Sequence, residues 1–418
     1  MTRLKLLKLV FLRYYRSMGL RVFLYALLSV GATLVSPLAN TFIGFEFSSD
    51  IDFSSVTPVL TILASSMLAV STFSLSIMVS AHRAAANTAT PRMHRILLED
   101  TTTQSVLSVF IGAFVYSLGS LVLYRLGFYP EDAALLVMGI TTVVVVAVIL
   151  SLLRWINHLT TLGSLENSMR TAQTRAEEAL LAHARHPRFG ASELSDDIVM
   201  PIETHPICAP RSGYLQLIDM AMLQNCLGDH ATLYLEAWPG QHVLTGAVIG
   251  HVAGTLDAAT RDKLQNAFTF GHTRTHEQDA EFGLVVISEI ASKALSPGLN
   301  DPGTAVEALM VLKTLLWQYA REPAQDDAPT APRVMARFPG PAEYVEAAFG
   351  QLTRDCIGNF EVLRQLVQCL AVLATSDMAE LSQAARVMAK DTLRRAEEAG
   401  MSEPDLALLR SDAGVTAP

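Results

Sequence analysis

Four stretches in the first 155 residues, about 22–45, 56–80, 105–124 and 133–153, contain no Asp, Glu, Lys, Arg or His between their ends. Each is about as long as the hydrocarbon core of a bilayer is thick when wound as a helix. A backbone in lipid must satisfy its own N–H and C=O groups, so such segments have to be α-helices. The expected fold is therefore a four-helix transmembrane domain over residues 1–155, followed by an α+β domain of ordinary composition. Half the chain is hydrophobic and the mean hydropathy is +0.32. That apolar excess sits in the spans.

The loops orient the spans. Residues 1–21 carry Arg3, Lys5, Lys8, Arg13, Arg16 and Arg21 and no acid, whereas Glu46, Asp50 and Asp52 follow the first span without a base. His82, Arg83, Arg92, His94 and Arg95 then make a basic loop. The positive-inside rule places both termini in the cytoplasm. Residues 1–160 hold 11 Lys and Arg against 7 Asp and Glu, and the remainder 20 against 33. An acidic C-terminal half argues against a nucleic-acid partner. The four cysteines lie in that half, make no Cys-x-x-Cys pair, and are expected as reduced, mostly buried thiols.

The second span carries Ser65, Ala69, Thr72, Ser76 and Ser80 along one helical face, ending near Arg83. Two readings are open. The stripe lines a pore, where hydroxyls replace part of an ion's hydration and Arg83 sits at the mouth. Or it is a face for close helix packing, the more common use of small and hydroxyl residues. Ser108 and Gly112 in the third span fit packing as well.

Beyond Arg154 the pattern changes. Residues 156–187 are expected as a helical stalk. Leu162, Leu165, Met169, Ala172, Ala176 and Ala179 form a heptad seam, used either between copies or against the chain's own domain. Residues 188–320 are expected as the α+β domain, with residues 188–212 a turn-rich linker. Residues 213–218, 231–237 and 242–252 read as strands of a small β-module. Residues 274–309 read as a helical hairpin. Thr275 and Gln278 have the spacing of a capping box, and Phe282, Val286, Ile290 and Ala294 make a buried stripe. Asp301 and Pro302 are suited to start the second helix. Residues 321–341, with five prolines, are expected as a linker, 342–402 as a helical part and 403–418 as a flexible tail.

Arg274-Thr275, Gln278-Asp279, Phe282-Gly283 and the run Ala294–Pro302 (ALSPGLNDP), with Pro210–Asp219 (PRSGYLQLID), carry a family resemblance. They resemble the bacterial predicted membrane proteins grouped as domain of unknown function 2254. The likeness implies an integral protein of the bacterial inner membrane with a cytoplasmic domain. It brings no activity with it.

Arg274, Gln278, Asp279, Asn300 and Asp301 are the candidate site: one polar network joining the two helix starts, either holding the fold or binding a small polar ligand. His272 and His276 stand four residues apart, but a helical His pair needs further ligands to hold a metal, and no metal site is expected. No nucleophile elbow, phosphate-binding loop, dinucleotide fingerprint or His-Glu-x-x-His is present. No catalytic residue or cofactor is expected. The partners expected are the bilayer and further copies of the chain. Two functions follow: a homo-oligomeric channel or passive transport protein gated by its cytosolic domain, or a membrane-anchored sensor or scaffold.

Overall fold

A computed structural model describes residues 53–88, 90, 92, 101–129, 133–159 and 164–414, except 196, 199, 256, 326 and 327, together with positions 23, 27 and 31. Most of the expected first span, His94 and Arg95 of the basic loop, and Leu162 lie outside the described residues. The chain divides into two compact units, residues 1–87 with 94–167 and residues 88–93 with 168–418.

In the first unit α1 (Phe53–Thr88), α2 (Thr101–Arg125) and α3 (Ala133–Leu159) are long and apolar. Three segments of them, Phe53–Ala81, Thr102–Arg125 and Ala134–Leu159, could each cross a membrane. Lipid gives apolar side chains no reason to turn inward, so hydroxyls and small residues hold such helices together. The Tyr116 hydroxyl on α2 donates to the Val137 carbonyl on α3 at 3.3 Å and shares a 3.1 Å hydrogen bond with Thr141. The Thr103 hydroxyl meets His158 Nε2 at 3.0 Å. Phe53 stacks on Tyr124 with ring centroids 4.5 Å apart. The buried face of α1 runs Val56, Leu60, Leu63, Met67, Ser71, Ser74. The sequence stripe of Ser65, Thr72, Ser76 and Ser80 lies on the other, exposed face.

The second unit opens with α4 (Leu165–Arg185). Met169, Ala172, Ala176 and Leu180 are buried along one side. They pack on the chain's own fold, because α7 (Ala280–Ala294) brings Gly283 against them. A Cβ at Gly283 would lie 2.4 Å from the Cβ of Ala176. The alternative of a seam between copies is not needed to bury these residues.

Two sheets follow. β3 (Gly213–Ile218) lies between β5 (His242–Val243) and β7 (Phe268–Gly271), all antiparallel. The larger sheet has the order β1-β8-β4-β6-β2, formed by Ala191–Glu193, Ala331–Ala336, Thr232–Leu235, Val248–Ala253 and His205–Cys208. Here the structure corrects two expectations. Residues 188–212 are not only a linker, since they supply β1 and β2. Residues 321–341 are not only a linker, since β8 sits inside the sheet and pairs in parallel with both β1 and β4. Pro332 is compatible with that position because the β1–β8 ladder shifts register there, between the Ala191–Ala331 and Ser192–Met335 pairs. Leu215, Ile218, Leu233, Ile249, Phe268 and Val334 belong to one core beneath both sheets. The helix α5 (Met220–Leu227) contributes Leu223 and Leu227 to it, and α6 (Ala258–Gln265) adds Leu264.

The remaining helices form a second layer: α7, α8 (Pro302–Arg321), α9 (Pro341–Phe349), the single turn α10 (Leu352–Asp355), α11 (Phe360–Leu373), α12 (Ala379–Glu398) and α13 (Glu403–Asp412). α7 packs on α8 and α9, α8 on α11, and α9 and α11 on α12. Phe282, Val286, Ile290 and Ala294 are all buried in α7. The expected flexible tail instead holds α13. Ser402 caps it, Leu406 and Leu409 are buried, and Asp412 accepts from Arg364 Nε at 2.7 Å. Two buried leucines contribute about 3–6 kcal/mol relative to exposure, enough to dock a short helix. Residues 415–418 lie outside the described residues.

Candidate functional site

The loop between β7 and α7 carries three of the candidate residues, Arg274, Gln278 and Asp279. It leaves β7 at Gly271 and enters α7 at Ala280. The expected capping box does not form there. Asp279 is the N-cap, and its carboxylate accepts from the Phe282 N–H at 3.1 Å. Gln278 turns the other way. Its Oε1 accepts from the Ile218 N–H at 2.8 Å and its Nε2 donates to the Ile218 carbonyl at 3.1 Å. One amide thus satisfies both backbone groups at the end of β3, as a neighbouring strand would. Gln216 adds a bond to the Thr273 carbonyl at 2.7 Å, and Arg211 Nη2 donates to the Phe270 carbonyl at 2.6 Å. The Pro210–Asp219 stretch and the loop from Thr273 to Asp279 therefore meet in space through Gln216, Ile218, Thr273 and Gln278.

Arg274 grips Asp279 with two parallel bonds, Nε to Oδ2 and Nη2 to Oδ1, both 2.7 Å. Such a fork is the strong form of a charge-assisted hydrogen bond. Nη2 also reaches Glu281 at 3.3 Å, and the guanidinium lies 5.5 Å from the Phe282 ring centre. The Asp279 side chain is 2% exposed and that of Arg274 19%. Burial pushes the Asp279 carboxyl up, and the Arg274 guanidinium and the Phe282 N–H pull it back only in part. Burial likewise raises Glu281, against the pull of Arg274. Gly240 closes the pair from above. Its φ is +100°, and a Cβ there would fall 2.4 Å from Asp279 Oδ2. The turn Trp238–Gln241 that presents it hangs on β3, with Gly240 N–H donating to the Leu215 carbonyl at 2.8 Å.

The candidate residues do not form one network. Asn300 and Asp301 follow the far end of α7, a helix of 15 residues and so roughly 22 Å long. Asp301 caps α8, accepting from the Thr304 N–H at 3.1 Å and the Thr304 hydroxyl at 2.6 Å. Those donors hold its carboxyl below the usual carboxylate range. Asn300 adopts φ 47°, the left-handed conformation asparagine tolerates, between the two helices. These are hairpin joints, exposed and locally satisfied, whereas Arg274 and Asp279 form a largely buried hub and Gln278, one residue before Asp279, ties the same loop to β3. His276 lies beside that hub with its ring 4.6 Å from Phe282. Burial first, then Arg175, lowers its pKa to about 4. His272 is exposed.

One feature next to the hub was not anticipated from the sequence. Glu281 and Val285 on α7 and Glu343, Glu346 and Ala347 on α9 border a cavity of about 520 Å³. Ala342 and Glu346 are shared with a larger cleft of about 690 Å³ between α9 and α12. Val345, Val387 and Met388 give that cleft an apolar lining. Volumes of several hundred Å³ with such linings are typical of binding clefts. Val387 could have signalled it, because it is an apolar residue at four-residue spacing between the polar Gln383 and Asp391 on α12, and the fold leaves it 56% exposed.

The candidate pore residues belong to the first unit. Thr72, Ser76, Ser80 and Arg83 border a surface groove of about 510 Å³ along α1, with Leu75 and Val79. Ser65 does not border it. The Ser65 hydroxyl donates to the Thr61 carbonyl at 3.0 Å and that of Thr72 to the Ala69 carbonyl at 2.9 Å. Their polar groups are thus satisfied by the helix itself.

Comparison with known proteins agrees with the arrangement of apolar helices. The family described as predicted membrane protein (DUF2254) matches residues 15–372. The chain is 27% identical over 333 residues to the uncharacterized protein Rv1290c of Mycobacterium tuberculosis and to the uncharacterized protein Mb1321c of Mycobacterium bovis. Each match covers 76% of this chain and 63% of the relative, so the chain spans under two thirds of their length. No solved structure matches it.

Proposed function

We propose, for a chain that belongs to the DUF2254 family of predicted membrane proteins, that it is a membrane-anchored binding protein. Four spans, the first within residues 22–45, hold a cytosolic domain at the bacterial inner membrane. That domain binds a ligand or a protein partner. The observation that carries this reading is where the polar groups are. Phe53–Ala81 and Thr102–Arg125 hold no Asp, Glu, Lys, Arg or His between their ends, and in Ala134–Leu159 the two such residues, Arg154 and His158, fall within the last six positions. Carriers of protons and voltage sensors depend on such groups. The C-terminal unit, by contrast, pairs its buried charge, Arg274 with Asp279 and Glu281, and leaves an open cleft of about 690 Å³ beside it. The hub is the frame and the cleft is the binding surface.

One observation favours a second reading, a homo-oligomeric channel. Thr72, Ser76 and Ser80 of the hydroxyl stripe border a groove along α1, and the stripe is exposed in the single chain. A pore built from it would lie between copies, with Arg83 favouring anions. Cysteine scanning separates the two. Ser65, Thr72 and Ser76 are each replaced by Cys in a chain lacking its native thiols, and the membranes are treated with a small water-soluble thiol reagent. The anchored reading expects no labelling at the three positions. Labelling at all three, with none at Leu68→Cys on the exposed apolar side, would replace it with the channel.

A further inference from the structure

We propose that the cleft between α9 and α12 is a docking groove for a basic amphipathic helix of a partner protein. The inference rests on the anchored-binding reading and names its partner class. α12 faces the cleft at Ala379, Gln383, Val387 and Asp391, a spacing of four residues that defines one helical stripe. The stripe covers 13 positions, so it is roughly 18 Å long, the length of a three-turn helix. Val345 on α9 and Val387 and Met388 on α12 supply the apolar floor. A groove with this floor receives the apolar face of a helix, read as anchors at every third or fourth residue.

Charge chooses the partner. Glu346 and Glu380 stand on the two rims, and among the described residues no Lys or Arg borders the cleft. Asp391 at the far end is already bound to Arg394 and Arg395. Past Glu346 the surface continues into the smaller cavity with Glu281 and Glu343. Arg274 engages Glu281, and Glu343 accepts from the Gly340 N–H at 3.0 Å, so the acids at that end are held in place. A helix with an acidic polar face would meet this rim with like charge. One with Lys or Arg flanking an apolar stripe would bury its stripe on the floor and set its bases against Glu346 and Glu380. The occupant is therefore cationic.

The test uses the full chain in nanodiscs of zwitterionic lipid and a fluorescent 14-residue Leu/Lys amphipathic peptide, read by anisotropy. A Leu/Glu peptide of the same pattern is the control. The Leu/Lys peptide is expected to bind and the Leu/Glu peptide to fail. Glu346→Lys with Glu380→Lys should weaken binding about tenfold or more, through the rims. Val387→Asp should weaken it as much although it adds an acid, because it charges the floor. Cys356 and Cys369, both fully buried, should stay unreactive to a thiol reagent in each variant, which shows that the fold is kept. Equal binding of both peptides, or wild-type affinity in the variants, would overturn the proposal. So would a dimer of the wild-type chain that Val387→Asp dissociates, since the groove would then belong to a second copy. Failure here with α1 unlabelled in the cysteine scan would remove the groove and leave the anchored reading standing.

Discussion

Arg274→Met destabilises the C-terminal unit by about 3–5 kcal/mol, the cost of leaving one partner of a buried ion pair behind. Asp279 is the partner left, with its side chain 2% exposed. Methionine keeps much of the arginine stem's packing, so the loss isolates the charge. The second substitution of the test is Asp279→Asn. Asparagine still accepts from the Phe282 N–H as an N-cap and carries no charge. In the Arg274→Met background it should therefore recover most of the lost stability, although alone it removes the fork to Arg274. Unfolding is followed by the reactivity of Cys356 and Cys369, both buried. A single variant within about 0.5 kcal/mol of wild type, the range of an ordinary surface change, would show that the hub does not hold the unit. A double variant no better than the single would show that unpaired charge is not the cause.

Acid is expected to loosen the same unit through its buried histidines. His183 is 4% exposed, its ring edge-on to Phe189 and Tyr344. Burial lowers its pKa from 6.5 to about 4, against a hydrogen bond with the Pro339 backbone. His276 is lowered to about 4 as well, by burial and then by Arg175, with Glu277 pulling the other way and Arg274 adding to the lowering. Both are neutral in the fold and take up protons more readily when unfolded. Stability is thus complete above about pH 6.5 and is lost as pH falls toward 4. Each histidine contributes a slope of up to about 1.4 kcal/mol per pH unit in that window, or about 2 kcal/mol between pH 7 and 5. Denaturant unfolding at a series of pH values checks this. A flat profile over that range, or the same slope after His183→Phe, would contradict it.

The sequence made the long, local elements readable. The α7–α8 hairpin was legible because Phe282, Val286, Ile290 and Ala294 repeat at helical spacing and Asp301-Pro302 has the chemistry of a helix start. The seam on α4 was legible for the same reason. What stayed hidden depends on distant pairing. β1 has three residues and pairs with a strand 140 positions away, and β8 contains Pro332, so neither has a period to detect. Gln278 could be read only as a capping residue, because its real partner, Ile218, is 60 positions upstream. The polar hub was half legible. Arg274 and Asp279 are five residues apart and do pair, whereas Asn300 and Asp301 fall at the other end of α7, a separation that a list of polar residues does not convey. On α1 the buried face was missed because every residue of a span is apolar or small. Ser71 and Ser74 continue the Leu60, Leu63, Met67 face inward, but hydropathy does not distinguish that face from the one carrying Thr72 and Ser76.

The account stands on the C-terminal unit being a cytosolic domain at the end of a membrane anchor. Fusing a reporter enzyme that is active only in the periplasm after Pro418, and a fluorescent protein that matures only in the cytoplasm in a parallel fusion, tests this directly. The four-span topology predicts a silent enzyme and a fluorescent membrane fraction. An active enzyme with a dark fluorescent fusion would place the Arg274 hub and the α9–α12 groove outside the cytoplasm and contradict the account.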